Sequence, residues 1–227
     1  MIKLCLEQLP GAHVSATSNP THHTGDEFYV MKEDTRIEGP WTDRDDKAMA
    51  EIPKRFRDEP EWRPWQQSVI NMIKEEPDDR TINIIIDRKG NNGKTFLPMW
   101  LMTRKLAHRV PPQKDGRDIM RMIMNKDLRK CYFIDLPRAT ANKCQKAIYS
   151  AIEEIKNGYC YDDRYKWQER IFDPPHIWVF TNCSPDLNHL SKDRWKIWYI
   201  YHGTLVEYKP SKNEIHNGID IENIPIE

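Results

Sequence analysis

Ile82-Asn83-Ile84-Ile85-Ile86 is a β-branched apolar run that leads straight into Asp87-Arg88-Lys89-Gly90-Asn91-Asn92-Gly93-Lys94-Thr95. The run reads as a strand buried on both faces, because no alternation separates a wet side from a dry one. The glycines behind it permit a tight loop, and a helical pattern follows over Lys94–His108. Strand, glycine-bearing loop and helix in that order leave few folds open. They call for a layered α/β domain whose parallel sheet carries loops at the C-terminal ends of its strands. The rest of the chain agrees. Cys131–Asp135, Ile177–Thr181 and Ile197–Tyr201 read as further strands. Pro64 opens a helix with Trp65, Val69 and Ile73 at four-residue spacing, and Asp118–Met124 and Asn142–Lys156 continue the alternation. The expected fold class is α/β, with a central, mostly parallel sheet.

The loop after Ile86 has the chemistry of a phosphate cradle. Glycines let successive backbone N–H groups turn inward around anionic oxygens, and a helix N-terminus adds partial positive charge. Gly90, Asn91, Asn92, Gly93, Lys94 and Thr95 are the candidate nucleotide-binding residues. Lys94 would reach the β- and γ-phosphates of ATP, and the Thr95 hydroxyl would ligate Mg²⁺. The usual G-x-x-x-x-G-K-[ST] spacing places a glycine at position 88, where Arg88 stands. Gly90 would supply the flexibility instead. A Gly-Asn turn before an ordinary helix would look the same locally, so the neighbouring strands carry weight.

Those strands each end in one polar residue. Cys131-Tyr132-Phe133-Ile134-Asp135 ends in a carboxylate suited to hold Mg²⁺ beside the loop, the arrangement of a Walker B acid. Leu136 follows, so no second acid is assigned as the catalytic base. Ile177-Trp178-Val179-Phe180-Thr181 ends in Asn182, an amide placed to bond the γ-phosphate and the attacking water. An Asn ahead of Cys183-Ser184-Pro185 suits a strand-ending turn equally well.

Charge and cysteine content exclude several classes. Lys plus Arg and Asp plus Glu both number 35, so a uniformly basic nucleic-acid coat is excluded while a local basic groove is not. Five cysteines (5, 131, 144, 160 and 183) with no C-x-x-C pair point to reduced thiols, not a disulfide framework or a zinc site. No apolar run approaches the ~20 residues of a membrane span, and the first residues lack the apolar stretch of a secretory leader. The expected organisation is a unit over 1–46, a charged linker over 47–63, an ATPase domain over 64–202 and a polar tail over 203–227.

Taken together, Gly-Asn-Asn-Gly-Lys-Thr, Phe-Ile-Asp-Leu-Pro-Arg (133–138), Val-Phe-Thr-Asn-Cys-Ser-Pro (179–185) and Ser-Lys-Asp-Arg-Trp (191–195) resemble the superfamily 3 helicase domain of Rep. Rep is the replication initiator of circular single-stranded DNA viruses. The Asp-x-Pro-Arg form and Ile155-Lys156-Asn157-Gly158 look most like nanovirus and satellite types, and Arg-Pro-Trp-Gln-Gln (63–67) is also similar to the family. The resemblance covers about residues 63–202. It implies an AAA+-like P-loop NTPase, an ATP-driven DNA helicase or translocase with ATP and Mg²⁺ as cofactors. It also implies hexameric rings with ATP at subunit interfaces, viral origin DNA as partner, full-length Rep as a further partner, no membrane, and action in the host nucleus. In that setting Lys94, Asp135 and Asn182 are catalytic, Thr95 and Asp135 hold the metal, and Arg194 matches an arginine finger reaching a neighbour's γ-phosphate. The family also carries a pore β-hairpin that grips single-stranded DNA. Tyr159–Phe172 fits it, with Arg164, Lys166 and Arg170 tracking phosphates and Tyr165 or Trp167 stacking on bases.

The first 46 residues resemble the last part of a rolling-circle nicking endonuclease, an α+β remnant. Tyr29, in a Tyr-x-x-Lys pattern with Lys32, stands at the nucleophile position. Such chemistry also needs a divalent metal on a His-hydrophobic-His motif, which this chain lacks: His22 and His23 are adjacent and lie in a turn-rich stretch. The expectation is a chain that does not nick DNA by itself, the tail of a nickase whose metal-binding half is absent. The competing readings are a non-catalytic truncated or endogenised Rep fragment that binds DNA or full-length Rep, and a small-molecule P-loop kinase.

Overall fold

The computed structural model describes residues 52–136 and 142–211 together with 213, 214, 219, 222, 224 and 225; side chains of 142–145 lie outside the description. The chain divides into two compact units, Met1–Pro53 and Lys54–Glu227. Tyr29, Lys32 and the expected 1–46 unit fall outside the described residues.

The second unit is built on a six-stranded sheet. Its strands are β1 (Ile82–Ile86), β2 (His108–Val110), β3 (Cys131–Asp135), β6 (His176–Thr181), β7 (Trp195–Tyr201) and β8 (Thr204–Tyr208), in the order β2-β3-β6-β1-β7-β8. All neighbours pair in parallel except β7 and β8. The architecture is α/β with a mostly parallel sheet, compatible with a P-loop NTPase fold. β4 (Tyr159–Asp162) and β5 (Gln168–Ile171) form a separate antiparallel hairpin. The helices are α1 (Pro64–Lys74), α2 (Phe96–Thr103), α3 (Gly116–Met124) and α4 (Asn142–Lys156). None among the described residues is long and apolar enough to cross a membrane.

β1 is buried at all five positions because helices cover both sides of the sheet. On one side Ile82, Ile84 and Ile86 join Ile134, Ile177 and Val179 against Ile119 and Ile123 of α3 and Ile148, Ile152 and Ile155 of α4. On the other, Phe133 stacks on Phe180 at 5.7 Å and Trp65 of α1 meets Phe180 edge-on at 6.3 Å. Asn83, the polar residue in β1, is buried but satisfied. Its amide donates to the Ile177 carbonyl and its oxygen accepts from Trp198 Nε1 at 2.9 Å.

Several boundaries differ from the sequence expectation. The helix expected over Lys94–His108 spans Phe96–Thr103, ends near Lys105 in a left-handed turn (φ 57°), and gives way to the short edge strand β2. Residues 54–63, read as linker, pack on α2: Phe56 is buried against Phe96 at 5.2 Å and Trp62 meets Trp100 edge-on. The tail supplies β8, through a turn with positive φ at His202 and Gly203, and buries Ile219 and Ile224.

The hairpin at Tyr159–Phe172 forms where expected. Gly158 precedes it with φ 80°, and a Cβ there would lie 1.9 Å from the Phe172 carbonyl oxygen. Phe172 N–H donates to the Gly158 carbonyl at 2.8 Å, closing the hairpin base.

Candidate functional site

The strand registers bring three chain segments to one edge of the sheet. Ile86 lies beside Thr181, and Asp135 beside Phe180. The ladder runs one residue further: Asp87 N–H donates to the Thr181 carbonyl, and Leu136 N–H to that of Phe180. Asp87, Asn182 and Asp135 therefore share the C-terminal edge. β6 lies between β1 and β3, so Asn182 sits on the strand next to the loop strand and Asp135 one strand further away, not directly beside the loop.

The loop curves through Gly90, Asn91 and Gly93, with φ of 78°, 58° and 78°. Arg88 takes no part in that curve; its guanidinium donates to the Ile224 carbonyl and pairs with Glu222. Curvature starts two residues after the position where a P-loop glycine is usual. Asp87 shapes the bend from inside: its Oδ1 accepts from Gly90 N–H at 2.9 Å and from Asn92 Nδ2 at 3.0 Å. The start of α1 holds the outer side. Arg63 donates to the Asn91 carbonyl, Trp65 Nε1 to that of Asn92 at 3.0 Å, and Gln66 Nε2 to that of Gly93 at 3.2 Å. With these carbonyls tied outward, the backbone N–H groups of Asn91 to Thr95 find no acceptor among the described residues. A run of unpartnered amides at a helix N-terminus is an anion-binding nest.

Lys94 and Asn182 meet at this nest. Lys94 Nζ lies 3.3 Å from Asn182 Oδ1 and 3.4 Å from Asp87 Oδ2, while Asn182 Nδ2 donates to the Asp87 carbonyl. Asp87 is 3% exposed, and its Oδ2 has no hydrogen-bond partner among the described residues. A cavity of about 560 Å³ opens over the loop, lined by Gly90 to Thr95, Asp135 and Asn182, with Phe56, Phe96 and Met99 adding apolar wall. Asp135 is ion-paired with Arg109 of β2.

Among the described residues no cluster of three or more metal-ligating side chains occurs. Mg²⁺ is commonly held by one or two carboxylates plus substrate phosphates. Thr95 and Asp135, lining the same cavity, fit that requirement.

Arg194 is not brought to this cavity. It lies just before β7, whose first residue Trp195 pairs with Ile82, at the opposite edge of the sheet. It is 4% exposed, with Nε 2.8 Å from Glu153 Oε1 and a terminal nitrogen donating to Asn157 Oδ1. Its contacts tie β7 to the end of α4. Lys156, beside it, is buried still more deeply and donates to the Asp78 and Pro175 carbonyls.

On the hairpin, Arg164 gives Asp162 two guanidinium bonds and one from its backbone N–H, and these hold the carboxyl well below the usual range. Arg170 donates to the Lys126 carbonyl, and Lys166 is exposed. Tyr165 is fully exposed at the tip, and Trp167 stacks on Tyr161 at 5.1 Å. Of the three cations expected on phosphates, two are thus engaged within the protein.

Asp87, Trp65, Gln66 and Arg109 were not singled out as site residues in the sequence. For the first three a signal existed. An acid ending the loop strand and a Trp-Gln pair opening a helix are both visible, but only the fold brings them together.

No protein-family model matches the chain. Curated relatives do. It is 29% identical to Para-Rep C3 of Milk vetch dwarf C3 alphasatellite, a match covering 83% of this chain and 78% of the relative. Para-Rep C6 of Subterranean clover stunt C6 alphasatellite is 28% identical over 75% and 71% of the two chains. Para-Rep C7 of Faba bean necrotic yellows C7 alphasatellite is 27% identical over 86% and 80%. The chain is a homologue of the alphasatellite Para-Reps. The Rep resemblance carried by the motifs thus extends over most of the chain, and the homology supports a Rep function.

Proposed function

We propose that the Lys54–Glu227 unit is the ATP-dependent DNA helicase or translocase module of a Rep-type replication initiator. The observation that carries this reading is the convergence of three features on one cavity. They are the amide nest of Gly90–Thr95, the Asp135 carboxylate and the Asn182 amide. The nest and Lys94 would bind the triphosphate. Lys94, held between Asp87 and Asn182, needs only a short movement to reach an anion over the loop. Thr95 and Asp135 would hold Mg²⁺, which supplies charge neutralisation at the phosphates. Asn182, at the end of the strand adjacent to the loop, would orient water or the terminal phosphate. The hairpin would engage single-stranded DNA through Tyr165 and Lys166 at its tip, in preference to the internally bonded Arg164 and Arg170.

A ring of copies, origin DNA and action in the nucleus extend the same reading from the Rep homology. Arg194, buried against Glu153, gives no support to a finger reaching a neighbour. The reading is tested by ATP turnover with and without single-stranded DNA, alongside particle mass. DNA-stimulated turnover that collapses in Lys94→Ala is expected, and unchanged turnover in that variant refutes it. A silent monomer would favour a non-catalytic Rep fragment instead.

A further inference from the structure

Arg109 stands on the edge strand β2, level with Phe133 of β3. Asp135 is two residues beyond Phe133, so its side chain projects on the same face of the sheet as Phe133. The guanidinium and carboxylate meet there as an ion pair, with side chains 24% and 18% exposed. Partial burial of this kind leaves a pair less screened than a surface one. The Arg109 Nε is buried with no acceptor among the described residues, so the carboxylate leaves part of this guanidinium unsatisfied. Asp135 lines the cavity over the loop, and Arg109 reaches the Asp135 carboxylate from β2. The Lys126 ammonium donates to the Arg109 carbonyl, which helps to fix β2 beneath the pair.

We infer that Arg109 is a positioning residue of the nucleotide site, which holds the Asp135 carboxylate and competes with the divalent cation for it. The inference rests on the nucleotide reading above. Asp135 is the one carboxylate assigned to the metal, and a guanidinium already neutralises it. A cation entering the site must share or displace that partner, so Arg109 sets how much free Mg²⁺ the site requires.

The test reads metal dependence by binding and not by turnover. Anisotropy of a ribose-labelled fluorescent ATP is followed on the full chain while Mg²⁺ is titrated. In Arg109→Gln the half-saturating Mg²⁺ falls about tenfold, the change expected when a competing ion pair worth about 1.4 kcal/mol is removed. Binding of the nucleotide without Mg²⁺ does not tighten, since the uncompensated Asp135 charge then faces the phosphates. Arg109→Lys, which keeps the charge but loses the planar fork, gives an intermediate shift and serves if the glutamine variant folds poorly. Asp135→Asn abolishes the Mg²⁺ response, and adding Arg109→Gln to it produces no further change. Half-saturating Mg²⁺ that is unchanged or higher in Arg109→Gln overturns the inference alone, as does equal weakening of binding with and without metal. A wild type that binds no nucleotide, or a Lys94→Ala variant that binds like wild type, overturns the nucleotide reading and the inference with it.

Discussion

Asp87→Asn separates two jobs that one buried side chain performs. Oδ1 accepts from Gly90 N–H and Asn92 Nδ2, and an amide oxygen can keep both bonds. Oδ2 faces the Lys94 ammonium at 3.4 Å, with side-chain exposures of 2% and 15%. At an effective dielectric constant of ~20, that separation gives a gross attraction of about 5 kcal/mol. The net loss is smaller. Lys94 keeps Asn182 Oδ1 as a partner and faces a cavity that admits water, and the carboxylate's own desolvation penalty disappears. A net destabilisation of about 2 kcal/mol is expected, or roughly 4–8 °C in Tm for a domain of this size. Saturating MgATP should close at least half of that gap, because the triphosphate replaces the charge that Lys94 has lost. Thermal unfolding of wild type and variant, each with and without nucleotide, measures both effects. An equal deficit in the two conditions would refute the placement of Lys94 between Asp87 and the phosphates; no deficit at all would refute the pair itself.

Other perturbations test separate parts of the structure. Gly158→Ala should cost more than the ~1–2 kcal/mol of a left-handed residue, since its Cβ meets the Phe172 backbone and not a movable side chain. Denaturant unfolding would report it, and a variant of wild-type stability would contradict the hairpin geometry. Tyr165→Ala should leave Tm unchanged, because the ring is fully exposed, while weakening single-stranded DNA binding by about 1–3 kcal/mol. Unaltered affinity in a filter-binding assay argues against the hairpin tip as the DNA contact. Burial holds His108 and His176 below the usual histidine range, against the raising effect of the Asp127 and Glu75 carbonyls that their ring nitrogens meet. The unfolded chain therefore binds protons first as pH falls through about 6.5, and stability declines from there downward. His176→Gln should flatten the fall in Tm between pH 7 and 5, and an unchanged slope would exclude His176 as a contributor.

The central strands were legible because each is a run of apolar residues long enough to stand out, and β1, β3, β6 and β7 lie where those runs lie. β2 was not, since three residues carry no periodicity, and its neighbour Lys105 interrupts a helical pattern through backbone conformation that composition does not display. β8 has a sequence signal in its turn. His202-Gly203 separates Trp-Lys-Ile-Trp-Tyr-Ile-Tyr from Thr-Leu-Val-Glu-Tyr, and a two-residue turn with positive φ at both positions is a hairpin connection. Motif residues at strand ends were legible in position but not in partnership. By its motif, Arg194 in Lys-Asp-Arg-Trp matches a finger that reaches a neighbour. Only the packing of α4 against the sheet shows that Glu153 and Asn157 have claimed it.

Arg88 in place of glycine looks damaging if the loop is judged by spacing alone. The structure supplies a different division of labour. In the usual pattern a glycine lets the chain leave the strand; here the Asp87 carboxylate turns it, by capping Gly90 N–H from within the bend. Arg88 then points away from the loop and bonds Glu222 and the Ile224 carbonyl. Left-handed backbone moves to Gly90, Asn91 and Gly93, where one asparagine and two glycines tolerate it. A Cβ on Gly93 would come within 3.0 Å of Gln66 Nε2, the flexible tip of a side chain, so its φ of 78° is what calls for glycine, while the close approach of α1 adds a tight contact. That approach points the loop carbonyls outward and the amides inward. Arg-Pro-Trp-Gln before the loop and Gly-Asn-Asn-Gly within it are thus two halves of one device, and neither forms an anion nest without the other.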